Sequence, residues 1–75
     1  MKEPTKRQIQ IKINDLRVDI EDEMEFVGIK PYSHNLISIR LSQISKLGGV
    51  KEANKTIVEL GLEILGWRKL PENDT

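Results

Sequence analysis

The sequence predicts a mainly α-helical chain with a short N-terminal strand. Three features predict it: alternating isoleucines near the start, amphipathic stripes of helical spacing after them, and glycines that stop each stripe. The helices are expected over about residues 15–27, 34–47 and 50–65. Seventy-five residues allow one small domain, residues 1–75, with polar tails at 1–5 and 70–75. A chain of this length buries only roughly 60% of its unfolded surface, so its core is marginal.

Residues 6–31, KRQIQIKINDLRVDIEDEMEFVGIKP, admit three readings. In the leading one, Ile9, Ile11 and Ile13 alternate along a strand at residues 8–13, and a helix over 15–27 follows, capped by Asn14. Leu16, Ile20, Met24 and Val27 then share a helical face. A helical extension, one helix over 5–27, has a capping box of Thr5 with Gln8 and a stripe that adds Ile9 and Ile13. Its charges oppose the helix dipole, because Lys6 and Arg7 stand at the positive end and Glu23 and Glu25 at the negative end. A hairpin turning at Asn14-Asp15 would pair Ile13 with Leu16, Ile11 with Val18 and Ile9 with Ile20.

Gly28 after an apolar-periodic run supplies a left-handed helix stop, with Ile29 expected to fold back onto Met24 and Pro31 forbidding continuation. Ser33 is the expected N-cap of the second helix, in which Leu36, Ile37, Leu41, Ile44 and Leu47 share a face and Ile39 lies outside it. Gly48-Gly49 ends that helix. Val50, Ala53, Ile57, Leu60, Ile64 and Trp67 then mark a third, which either runs on to Leu65 or stops at Leu60 before a short extra turn. Each of Gly61-Leu62 and Gly66-Trp67 repeats the glycine-then-apolar stop.

A lone strand needs a partner, and nothing downstream resembles one. The expected partner is the same strand of a second chain, in an antiparallel two-stranded ribbon, so the chain is expected to be a homodimer. The absence of cysteine points the same way, since no disulfide or thiolate metal site can staple so small a core. The N-terminus has no apolar signal region and no apolar run reaches the roughly 20 residues that span a bilayer. A cytoplasmic protein with no membrane partner is expected.

Twelve Lys and Arg balance twelve Asp and Glu, which removes the strong basic footprint of a dedicated nucleic-acid binder. The charges are segregated, however: Lys2, Lys6, Arg7 and Lys12 come first, then Asp15, Asp19, Glu21, Asp22, Glu23 and Glu25 with only Arg17 among them.

Little in the sequence points to catalysis. His34 stands beside Ser33 at a helix start, where a capping turn accounts for the pair better than half of a catalytic triad, because adjacent side chains do not face each other. Asp15, Asp19 and Asp22 would share a helical face, but a calcium loop's geometry and glycine are missing. GGVK lacks the rest of a phosphate-binding loop. The stretch around Ile44, Gly49, Val50 and Val58 partly fits a helix-turn-helix, yet Lys55 falls where that motif buries an apolar residue. No metal, cofactor or enzymatic activity is expected. Tyr32 reads as a loop residue packing on the core, and Trp67 as core or as an anchor for a protein partner.

The order strand, helix, glycine-containing turn, helix, carried by QIQIKIN and SHNLISIRL, resembles the ribbon-helix-helix family of dimeric DNA-binding proteins over residues 7–47. That resemblance implies DNA as a partner, with Gln8, Gln10 and Lys12 entering the major groove, where Gln can bond adenine and Lys guanine. Lys6 and Arg7 would meet phosphates. Arg40 and Ile39, the acidic first helix and the helix beyond residue 50 depart from the family's pattern; antitoxin members carry a C-terminal extension for a protein partner. The functional expectation is a small non-enzymatic binding protein: a dimeric DNA-binding regulator using an N-terminal strand, or a helical protein-interaction module that binds no nucleic acid.

Overall fold

In the computed structural model, which describes residues 5–71, the segment with three readings is one continuous helix. Helix α1 spans Lys6–Met24, α2 Ser33–Gly48 and α3 Val50–Glu59, and a 3-10 turn covers Leu62–Leu65. There is no β-strand among the described residues, so the strand at 8–13, the hairpin and a separate helix starting at residue 15 are all replaced by α1.

Backbone pairing and burial explain the outcome. A strand at 8–13 would leave its amide groups without partners inside the chain, whereas a helix satisfies them within the segment. Thr5 closes the N-terminus with a full capping box: its hydroxyl accepts from the Gln8 amide at 3.2 Å, and the Gln8 side chain accepts from the Thr5 amide at 2.9 Å. The helix turns Ile13 and Ile20 into the core, at 1% and 0% exposure. Each such side chain contributes about 1.5–3 kcal/mol, which exceeds the roughly 0.3–1 kcal/mol lost at each charge set against the dipole. Ile11, which a strand would place beside Ile9 and Ile13, instead points outward.

The α1–α2 connection departs from expectation in two places. Helix α1 ends at Met24, and residues 25–32 continue in turns with Gly28 at φ +87°; Ile29 is exposed rather than folded onto Met24. Ser33 does not cap α2. Its hydroxyl is buried and donates to the Glu23 carboxylate at 2.8 Å, tying the start of α2 to the end of α1.

Ile37, Leu41 and Ile44 form the buried face of α2, with Ile39 outside it as its spacing predicts. The next turn needs both glycines. A Cβ on Gly48 would lie 2.9 Å from the Ile13 side chain and 2.7 Å from that of Glu52, and Gly49 adopts φ +88°. Ala53 and Ile57 carry the core into α3, which stops at Glu59 because Gly61 turns left-handed. That stop shifts the register. Leu62 becomes the buried residue, while Ile64, assigned to the stripe by a continuous helix, stands 91% exposed.

The core thus closes within one chain: Ile13 and Ile20, then Ile37, Leu41 and Ile44, then Ala53, Ile57 and Leu62. With no unpaired strand, the reason it gave for a second chain falls. Arg17 on α1 reaches Glu59 at the end of α3, Nη2 to Oε1 at 2.6 Å. This hydrogen bond, with the Arg17 and Lys55 charges, lowers the Glu59 pKa below its ordinary 4.5.

These contacts lead to two expected outcomes. Thr5→Ala removes the cap and is expected to cost about 1 kcal/mol in urea denaturation. Because the folded-state pKa of Glu59 is depressed, its contribution is present above the unfolded value and is lost as pH falls through the lowered folded value. Glu59→Gln should therefore lower the melting temperature at neutral pH and match the wild type once both are fully acidified; equal melting at neutral pH would show that the ion pair contributes nothing.

Candidate functional site

The residues that a ribbon would present together are dispersed by α1. At about 100° per residue, Lys6, Arg7, Gln8, Gln10 and Lys12 are spread around the whole helix circumference. Gln8 is held in the capping box, and Gln10 donates to the Asn14 side chain at 3.0 Å. Lys12 lines an open groove of about 440 Å³ between α1 and α2, with Asp15, Leu16, Gln43, Lys46 and Leu47. The five residues do not form a common face.

A different surface emerges on the outside of α1. Ile11 and Val18, seven residues apart and therefore on one side, are 51% and 55% exposed, opposite the buried Ile13 and Ile20. Arg7, Asn14, Asp15 and Asp22 are exposed around them. Neither Arg7 nor Asp22 has an ion-pair partner among the described residues, where the pairs are Arg17 with Glu59 and Arg40 with Asp19 at 3.8 Å. The helix is polar in charge: Lys6, Arg7 and Lys12 occupy its first part, and from residue 15 onward five acidic residues follow with one basic residue, Glu25 adding a sixth at the C-cap. Its first turn has no acidic residue and its last no basic one.

Trp67 lies across the other side of the molecule. Its ring stacks on His34 at 4.0 Å between centroids and 18° between planes, and its Nε1–H donates to the Ser38 hydroxyl at 3.2 Å. One face of the indole is therefore engaged within the chain, which leaves the residue half-buried between α2 and solvent. Three residues on, Leu70 is held by Asn54, whose side-chain amide donates to the Leu70 carbonyl and accepts from the Leu70 amide, both at 2.7 Å. The expected polar tail is thus attached to α3 at its first residue. Tyr32 is exposed, and Lys30 stands 3.9 Å from the Phe26 ring centroid and 5.9 Å from that of Tyr32, a cation–π arrangement on the α1–α2 connection.

Sequence reasoning paired Ile11 with Val18 only across a hairpin and not as an exposed helix face, and it passed over Asn54. The first pair carried a signal: two apolar residues at heptad spacing outside the core stripe. Asn54 carried only the weak one of a polar residue bordering the apolar face of α3. No protein-family model, curated protein or solved structure matches this chain, so the reading of these surfaces rests on their chemistry alone.

Proposed function

We propose that the chain is a non-enzymatic helical interaction module that self-associates through the outward face of α1, two copies packing antiparallel. The observation that carries this reading is the charge order of α1. Basic residues at the N-terminal end and acidic residues at the C-terminal end disfavour the isolated helix, yet they complement an antiparallel copy of the same helix.

A two-fold axis near Asn14 and Asp15 sets the register. Ile11 of each copy then faces Val18 of the other, Arg7 approaches Asp22, and Asn14 meets Asp15. The same patch serves both subunits, as a closed two-fold dimer requires. Apolar contact lies at the centre and ion pairs flank it, the usual anatomy of a protein interface. One helix face from each side buries little area, which places the association in the weak, concentration-dependent class.

Sedimentation equilibrium across the micromolar to millimolar range is expected to show a reversible monomer–dimer equilibrium. Two symmetry-related pairs at roughly 0.2–1 kcal/mol each, together with new repulsion, should make the Arg7→Glu dimer about tenfold weaker. The double variant Arg7→Glu, Asp22→Arg should restore it, because each copy then presents the exchanged charges to the other. A monomer at every concentration, or no recovery in the double variant, overturns the register. Binding of random-sequence duplex DNA at low salt, lost on Lys6→Ala and Arg7→Ala, would instead favour the nucleic-acid reading.

A further inference from the structure

We infer that the surface where residues 67–71 run beside α3 is a binding site for a small anion carrying two or more linked phosphoryl groups, held by Lys51, Lys55 and Lys69. None of these lysines belongs to the outward face of α1, and the site does not require self-association.

The three lysines line one open cavity of about 290 Å³, together with Asn54, Val58 and Glu59. Lys51 and Lys55 stand one helical turn apart on α3, so their Cβ atoms are about 5–6 Å from each other and their charges repel. Lys51 is also in the first turn, where the positive end of the helix dipole opposes it. Glu52, the acid of that turn, lies towards the end of α2, its Cγ 2.7 Å from where a Cβ on Gly48 would stand. Glu59, the acid on the cavity wall, is engaged by Arg17 at 2.6 Å. None of the three lysines has an ion-pair partner among the described residues.

Lys69 comes from a different segment and is fixed on both sides. Two residues before it, the Trp67 backbone N–H donates to the Leu62 carbonyl at 3.1 Å and the indole stacks on His34. One residue after it, the Leu70 backbone is held by both ends of the Asn54 amide, at 2.7 Å each. Asn54 is only 6% exposed and stands between Lys51 and Lys55 on α3, so its grip on Leu70 places Lys69 beside them. A buried amide thus gathers a third like charge. That arrangement destabilises the chain alone and is offset once an anion binds.

The lining decides what kind of anion fits. Lysine is a point charge without the planar fork of arginine, so the site selects by charge and not by bidentate geometry. Among the described residues no aromatic side chain lines the cavity, which leaves no platform for a nucleobase. Its volume is near the lower end of small-molecule sites, and a cleft lined by one sign of charge concentrates the opposite ion. Three positive charges match a diphosphate or triphosphate better than a single phosphate or sulfate.

The test titrates the full chain, labelled with nitrogen-15, with sodium pyrophosphate at constant ionic strength. Saturable shifts are expected at the backbone amides of Lys51, Lys55 and Lys69, and none at Lys12 and Lys46 in the α1–α2 groove. Sulfate at the same ionic strength should bind severalfold more weakly. Each of Lys51→Gln, Lys55→Gln and Lys69→Gln should weaken pyrophosphate binding roughly threefold, while Lys69→Arg keeps the charge and the affinity. Leu70→Pro removes the N–H that donates to Asn54, so it should act like Lys69→Gln although all three lysines remain. If Leu70→Pro does not fold, the lysine series decides alone. No saturable shift at millimolar pyrophosphate, equal binding of sulfate, or shifts shared equally with Lys12 and Lys46 overturns the inference. Saturation by random-sequence duplex DNA where pyrophosphate gives none would assign the surface to a nucleic-acid backbone and overturn it as well.

Discussion

The structure depends on how the backbone of residues 8–13 is satisfied. Two solutions exist in principle: a ladder to another strand, or a helix closed on itself. Choosing the helix lengthens α1 to nineteen residues and lets Ile13 and Ile20 stand on one stripe facing Ile37, Leu41 and Ile44. The neighbouring elements adapt to that stripe. Gly48 must lack a side chain because Ile13 and Glu52 stand against it, and Ser33 is buried where its hydroxyl meets the Glu23 carboxylate near the end of α1.

How much of this was legible in the sequence varies with the kind of signal. The second helix was nearly complete from its spacing, 34–47 against Ser33–Gly48, because one apolar face and a glycine stop admit no competing period. Residues 6–27 were ambiguous for a physical reason: isoleucines at positions 9, 11 and 13 satisfy a period of two and, through 9 and 13, a period near four. The capping box at Thr5 and Gln8 was the correct local signal. Opposed dipole charges argue against it in the sequence, although each costs less than one buried isoleucine contributes. The spacing of α3 allowed two end points, and Gly61 decided for the earlier.

Candidate sites were less legible than the fold. A strand puts Gln8, Gln10 and Lys12 on one face, and a helix scatters them, so an error in period becomes an error in site. The charge segregation of residues 6–25 was visible from the start, but its meaning changes with the geometry. On a strand followed by a helix it is a basic reading head and an acidic support. On a single helix it is a dipole opposed to the helix's own, and complementary to an antiparallel copy. Asn54 escaped notice because recognition of a backbone leaves no pattern in the side chains it recognises.

The small core gives both surfaces more weight than they would have on a larger protein. Among the described residues eight buried apolar side chains support this fold, and small domains of this kind hold only a few kcal/mol of net stability. Anything that binds the folded chain adds to that margin by mass action, in proportion to the logarithm of its concentration over its dissociation constant. The proposed weak dimer would therefore stabilise α1 only where the chain is abundant. The segment at 67–70 acts at all concentrations, because its attachment to Asn54 and its stack on His34 lie within one chain.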